Sequence, residues 1–327
     1  MIELLMAGAL LSATAATTPD LAIQAVPARQ DPGAPQPSVE LEDVVVTGRP
    51  LDQMIRDFVG EVAEPNRNRG LARWDGSVCV GVANLKQETA QYISDRISTI
   101  ASDLGLDPGL PGCTPTILVV ATDDAGALAR TMVGERPRAF RMGGPGMDRG
   151  GVALRDFVGT DRPVRWWQMS MPVDSETGEK AVRIPGECAD ACMSVMDYAP
   201  QIFVFAASRL VTQIVDNIVR AVVIVDVDEV AHLSTLQLAD YIAMVSLAQI
   251  DPDADTSGYA SILNLFDDPN GSSSLTDWDQ AYLGGLYAAE RNQANWRAGR
   301  SEIVNSIRRE HQDLREGEPA ADPGADN

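Results

Sequence analysis

The stretch AVVIVDV, residues 221–227, followed by STLQLADYIAMVSLAQ, residues 234–249, decides the fold class of this chain. The first stretch is rich in β-branched residues and predicts a buried strand. Ser234 and Gln237 have the spacing of a capping box, so a helix is predicted to begin there. Because this helix is apolar on most sides, we expect it to lie at the centre of the fold. A strand leading into a buried helix indicates a layered α/β fold.

Further strand and helix patterns extend outward from this pair. Residues 77–83 and 116–121 predict strands, and isoleucines at helical spacing predict a helix over residues 86–104. The other expected elements are helices over 51–62, from a cap at Asp123 to 133, from a cap formed by Thr276 and Asp279 to 289, and over 300–311, with strands over 163–171 and 202–206. Residues 135–159 are rich in Gly and Arg and are expected to form a loop. We expect a single α/β (α+β) domain over residues 51–314, with a mixed sheet packed by helices.

Both ends of the chain differ in composition from this domain. Residues 1–16 combine a short apolar run with small residues of the kind that signal peptidase accepts, which predicts a signal peptide and export. Glu3 stands where positive charge is usual and no Lys or Arg precedes Arg29, so a misplaced start or a different role stays open. Residues 17–50 are rich in Pro and Ala and predict a flexible linker, and residues 315–327 predict a disordered acidic tail.

The net charge of −21 narrows the possible partners. Binding of nucleic acid requires a basic face that neutralises phosphates, so we expect no nucleic-acid partner. No segment after residue 16 is long and apolar enough for a transmembrane span, so none is expected.

The four cysteines predict two disulfides, because an even number in an exported chain usually pairs. Cys188 and Cys192 are close in sequence and are expected to pair with each other. Cys79 would then pair with Cys113. A zinc site is the alternative, although no His lies near either pair.

A short motif precedes the expected domain. Residues 42–48 read EDVVVTG, an acidic lead-in to the β-branched run Val44, Val45, Val46 and Thr47, closed by Gly48. This segment resembles the TonB box near the mature N-terminus of TonB-dependent outer-membrane transporters. The resemblance implies docking to a TonB-type periplasmic protein, or another envelope protein, by strand addition. The alternative is an ordinary edge strand of the domain.

The order of elements carries a second resemblance. A strand, a long helix, a strand, and then a late strand leading into a central helix is similar to zincin metallopeptidases, and residues 262–287 are similar to the region after the active-site helix in metzincin-like proteins. That class binds zinc through His-Glu-x-x-His, in which two His one turn apart face the metal. The helix expected over 234–249 contains no His, and the chain has only His232 and His311. The resemblance therefore implies a zinc-free relative.

Three alternating carboxylates follow the central helix. Asp251, Asp253 and Asp255 have the spacing that opens a calcium loop, because alternate carboxylates can converge on one hard cation. Thr256 and Ile262 depart from the Gly and Glu of an EF-hand loop. Calcium is thus a candidate cofactor, and a solvated turn is the alternative.

These patterns together favour a non-catalytic, exported protein of the Gram-negative cell envelope, in the periplasm or at the outer-membrane or extracellular face. It would engage a partner through the segment Val44, Val45, Val46, Thr47 and Gly48. A zincin-related hydrolase and a calcium-stabilised structural protein are the alternative functions.

Overall fold

The centre of the fold is a mixed four-stranded sheet. The computed structural model describes residues 49–66, 69–142, 146–184, 186–188, 192–194, 200, 202 and 209–317. The strands in chain order are β1 Ser77–Val78, β2 Val80–Ala83, β3 Asp107–Pro108, β4 Ile117–Thr122, β5 Val164–Asp174 and β6 Ile214–Asp226. The helices are α1 Leu51–Val62, α2 Gln87–Asp103, α3 Ala125–Glu135, α4 Pro137–Phe140, α5 Gly150–Gly159, α6 Thr235–Leu247, α7 Asp277–Ala288 and α8 Trp296–Gly317, with a 3-10 turn at Ile262–Asn264. The chain therefore has the α/β class that the sequence predicts.

The strand order in the main sheet is β2-β4-β6-β5. β2, β4 and β6 run parallel, whereas β5 pairs antiparallel with β6 and forms an edge of the sheet. β1 and β3 pair separately as a short parallel ribbon. Helices cover both faces of the sheet, which explains why residues 117–121 of β4 and residues 221–225 of β6 are continuous apolar runs that do not alternate with polar residues.

The two faces of the sheet bury different helices. One core contains residues of α1, α2, α6, α7 and α8, and the other contains residues of α3, α4 and α5. Trp166 and Trp167 on β5 point to opposite faces, as neighbouring strand residues do. Each indole nitrogen has a main-chain acceptor, Ile250 O at 3.1 Å for Trp166 and Phe140 O at 2.8 Å for Trp167. Both rings can therefore be buried without an orphaned donor.

Several sequence predictions are confirmed by the described elements. α1 has the predicted bounds, Leu51–Val62. Capping boxes at Ser234 and Thr276 begin α6 and α7, and in each box the side chain three residues on contacts the cap in return. None of the helices in the described part of the chain combines the length and apolarity that a bilayer crossing requires.

Other predictions were wrong. The cap of α3 is Asp124 and not Asp123, because the Asp124 carboxylate accepts from Ala127 N at 2.7 Å. The loop expected over 135–159 contains α4 and α5, because the Gly and Arg content of the whole stretch concealed the apolar side chains Phe140 and Phe157 that pack on the sheet. α8 begins at Trp296 and ends at Gly317, so residues 315–317 of the expected tail are helical.

Some expected segments fall outside the described residues. These are the signal peptide over 1–16, residues 17–48 of the expected linker and residues 318–327 of the expected tail. Of the strand expected over 202–206 only Ile202 is described, and it is not in a strand.

Both predicted disulfides are present. Cys79, between β1 and β2, pairs with Cys113 with their Cα atoms 6.1 Å apart. Cys188 pairs with Cys192 with a Cα separation of 5.6 Å. The first bond ties the short ribbon of β1 and β3 to the segment that enters β4, whereas the second closes only a local turn.

We expect unequal losses of stability when the two disulfides are removed. The Cys79–Cys113 bond spans 34 positions and the Cys188–Cys192 bond spans 4, and a longer closed loop restricts the unfolded chain more. Replacing both cysteines of a pair by Ala should lower the free energy of unfolding by about 4 kcal/mol for the long loop and about 2 kcal/mol for the short one. Guanidinium denaturation without reductant measures both values. Equal losses, or a larger loss for the short loop, would contradict the expectation.

Candidate functional site

Helix α6 is the helix that would carry the metal ligands of a zincin. Its residues from Leu238 to Leu247 are all buried. Tyr241 packs edge-on against Trp166 and Phe266, with ring centroids 6.2 and 4.9 Å apart, and burial raises its pKa well above the ordinary value for a tyrosine. The described packing around α6 therefore leaves no cleft floor along it.

The polar side chains of α6 are used within the protein. Asp240 accepts two hydrogen bonds from Arg96 on α2, at 2.5 and 3.0 Å, and one from Leu275 N at 2.7 Å. Gln237 donates to the carbonyl oxygens of Pro269 and Ser272 at 2.7 and 2.8 Å. These contacts join α6 to α2 and to the segment before α7.

The side chains of Gln249 and Gln168 form hydrogen bonds at the carboxyl end of α6. The Gln249 side chain accepts from Ala72 N at 2.7 Å. Gln168 on β5 donates to the carbonyl oxygens of Val245 and Ala248, at 2.9 and 2.8 Å. A buried helix end without such partners would be costly, so this end is fixed as part of the core.

The acidic triplet after α6 has separate partners for its three carboxylates. Asp251 lies 4.0 Å from Arg149 Nη2, and Asp253 pairs with Arg162. Asp255 accepts two hydrogen bonds from the residue two positions on, at 3.1 and 2.6 Å. Among the residues that the structure describes, no group of three or more His, Cys, Asp or Glu side chains is arranged to hold a metal ion. Calcium binding by Asp251, Asp253 and Asp255 stays a prediction.

The predicted docking segment, Val44 to Gly48, lies outside the described residues. The described chain begins directly after it. Arg49 lies over the ring of Tyr259 at 5.9 Å, and the carbonyl oxygen of Pro50 accepts from Gln53 N at 2.9 Å in the first turn of α1. The described residues of the domain therefore begin at Arg49, directly after the predicted segment in sequence.

A cavity of about 600 Å³ opens beside the first residues of β6. Arg69 and Arg73 reach it from the segment after α1, Asp216 from the start of β6, and Arg291 from the segment between α7 and α8. Its apolar walls include Leu71, Ile214, Val215, Leu286, Ala289 and Ile303. The volume is in the usual range for small-molecule sites.

Two of the arginines that line this cavity have contrasting partners. Arg69 forms an ion pair with Asp216, with Nε and Nη2 both 2.8 Å from the same carboxylate oxygen. Arg73 donates to the carbonyl oxygens of Leu286 and Ala289 at 2.6 and 3.1 Å, so it caps the carboxyl end of α7. Arg69 is thus neutralised by an acid, whereas Arg73 is held by neutral acceptors.

Arg291 is held in a similar way to Arg73. Its Nη2 donates to the main-chain oxygen of Asp216 and to Asn217 Oδ1, the latter at 2.6 Å. Burial and the nearby Arg73 lower the pKa of Arg291 to about 10, and burial also lowers the pKa of Arg73. Burial therefore destabilises the positive charge of both guanidinium groups.

No protein-family model, curated protein or solved structure matched this chain.

The sequence did not predict the cavity. Arg69, Arg73, Asp216 and Arg291 come from distant parts of the chain, and no local spacing links them. A cluster of arginines in a strongly acidic chain could have indicated the cavity. From the sequence, such a cluster was noted only in the expected loop over 135–159.

Proposed function

We propose that this chain is an exported, non-catalytic binding protein of the Gram-negative envelope, which engages a TonB-type periplasmic partner through Val44–Gly48. The packing of α6 is the observation that supports a non-catalytic role. Its central residues are buried, and Asp240 and Gln237 have their hydrogen-bonding groups occupied inside the protein. A helix used in this way serves as core and offers no surface to a substrate.

The order of the described elements supports a zincin-like scaffold without zinc. β2, α2 and β4 follow one another, and β6 leads into the central α6, as the resemblance implies. The position of the metal-binding motif holds Gln237, Asp240, Tyr241 and Met244. We infer a scaffold whose central helix serves structure while binding is carried out elsewhere.

The sequence of the predicted segment supports docking. β-branched residues favour extended backbone, which is the conformation required to add a strand to a sheet edge. The segment ends at Gly48 and the described residues begin at Arg49, so the two are adjacent in sequence, and the expected linker precedes the segment. The two disulfides are consistent with an oxidising compartment such as the periplasm.

Deleting residues 40–47 should abolish the capture of this chain by the immobilised periplasmic domain of TonB. The deletion spares Arg49 and Pro50, whose contacts with Tyr259 and the first turn of α1 belong to the domain. We expect at least a tenfold loss of recovered protein, because strand addition depends on main-chain hydrogen bonds along the segment.

A deletion of equal length within the expected linker, residues 28–35, is the matched control. It shortens the chain by the same amount and leaves the Val-rich segment intact. Capture should be unchanged in this control. If the chain lacking 40–47 is recovered as well as the intact chain, the docking proposal is wrong.

A further inference from the structure

We propose that the cavity lined by Arg73 and Arg291 binds a small organic anion, a carboxylate or phosphate group carried on an apolar body. None of the described residues that line this cavity belongs to the docking segment. The chemical class follows from the charges, the walls and the unpartnered polar atoms of the cavity.

Arg73 and Arg291 have no directly paired carboxylate among the described residues, although Asp75 acts on the charge of both at longer range. In the described part of the chain neither guanidinium lies within 4.0 Å of a carboxylate oxygen, whereas Arg69 beside them is paired with Asp216. Partly buried charges are usually paired, because desolvation of an isolated charge is costly. Main-chain carbonyls and Asn217 accept from one nitrogen of each group, and among the described residues the other nitrogens of both have no acceptor, so they can donate to a ligand.

The charge of the cavity is unusual for this protein. The charged residues described in its lining are three arginines, Arg69, Arg73 and Arg291, and two acids, Asp216 and Glu290. The cavity therefore carries an excess positive charge in a chain whose net charge is −21. A guanidinium group presents parallel N–H donors that match the two oxygens of a carboxylate or phosphate. An anion in the cavity would also relieve the mutual repulsion of Arg73 and Arg291.

The walls indicate what the anion is attached to. Leu71, Val215 and Ile303 are buried, and Trp296 at the rim is 37% exposed. Water that fills a pocket with such walls is displaced favourably by an apolar group. A fully polar anion would use the arginines only, whereas an anion with a short alkyl body would contact both kinds of surface.

Titration of the full chain with octanoate, octyl phosphate and octanol tests the proposal. We expect saturable binding of at least one anion by calorimetry and an increase in thermal midpoint with its concentration. Octanol should bind at least tenfold more weakly, because it provides the apolar body without the charge. Tighter binding of octanoate would identify the head group as a carboxylate, and tighter binding of octyl phosphate would identify it as a phosphate.

Variants at two arginines separate binding from folding. Arg291→Gln should lower the affinity for the anion at least tenfold, while Arg291→Lys should retain part of it. Arg297, an exposed arginine on α8 that does not line the cavity, is the matched control, and Arg297→Gln should bind as the wild type does. The thermal midpoint of each variant without ligand shows whether it has folded, and Arg73→Gln replaces Arg291→Gln if the latter has not. Absence of saturable binding of both anions, equal affinity for octanol, or unchanged affinity in the folded arginine variant would overturn the proposal.

Discussion

Replacing Asp240 by Ala should lower the free energy of unfolding by about 3 kcal/mol, because it removes the fully buried member of an ion pair whose other member, Arg96, is 32% exposed. Asp240 is fully buried on α6 and receives two hydrogen bonds from Arg96 and one from Leu275 N. The substitution leaves the Arg96 guanidinium without its anion and the Leu275 amide without its acceptor. Chemical denaturation of the purified chain measures the loss.

A double-mutant cycle of Arg96→Met, Asp240→Asn and the two together shows whether the cost arises from the pair. Arg96→Met combined with Asp240→Asn removes both charges, and the Asn oxygen can still accept from Leu275 N. We expect the double variant to be more stable than Asp240→Ala, because no uncompensated charge is left in the core. The exposed pair of Lys180 and Glu187 is the control, and Glu187→Gln should change stability by less than about 1 kcal/mol. If the losses of stability from the Arg96 and Asp240 substitutions simply add, the two residues do not stabilise each other. That result would contradict a stabilising ion pair between α2 and α6.

Gly285→Ala should be comparably damaging, by about 3 kcal/mol or more, because it forces two helices apart. Gly285 lies on α7 where α8 passes closest, and a Cβ placed there would be 2.4 Å from both Cα and N of Ile307. Those atoms belong to the backbone of α8, so they cannot move without displacing the helix. Thermal or chemical denaturation gives the change.

Gly284 is the matched control for this close approach. A Cβ at Gly284 would meet only the side chain of Glu310, at 3.2 Å or more, and that flexible chain can move aside. Because Ala favours helix over Gly by up to about 1 kcal/mol, Gly284→Ala should leave stability unchanged or raise it. Equal destabilisation at both positions would indicate a general cost of Ala in α7 and would contradict the close-packing explanation.

Local signals in the sequence were sufficient for much of the fold. The capping boxes at Ser234 and Thr276 depend on residues three positions apart, so they are visible without tertiary information. The apolar runs of β4 and β6 indicated buried strands for the same reason. β6, however, begins at Ile214, whereas the strand was predicted to begin at residue 221. The prediction missed the first half of β6 because Asp216, Asn217 and Arg220 interrupt its apolar pattern.

Contacts between residues far apart in the sequence could not be predicted from local patterns. Asp240 gave no sign of its partner, since Arg96 lies 144 positions away. The cavity depends on four charged residues brought together from the segments around α1, β6 and α7, and its formation needs the completed fold. Local periodicity contains no information on such convergence, so the candidate anion site appears only in the structure.

The most direct measurement of the proposed function is a calorimetric titration of the periplasmic domain of TonB with the full chain. Val45→Pro combined with Val46→Pro removes two adjacent main-chain N–H groups, and because neighbouring residues face opposite edges of a strand, one of the two faces the partner. Val45→Thr combined with Val46→Thr keeps both groups and the β-branched shape. We predict saturable binding for the wild type and the threonine variant and none for the proline variant. An absence of binding by the wild type, or equal binding by the proline variant, would contradict the proposed docking.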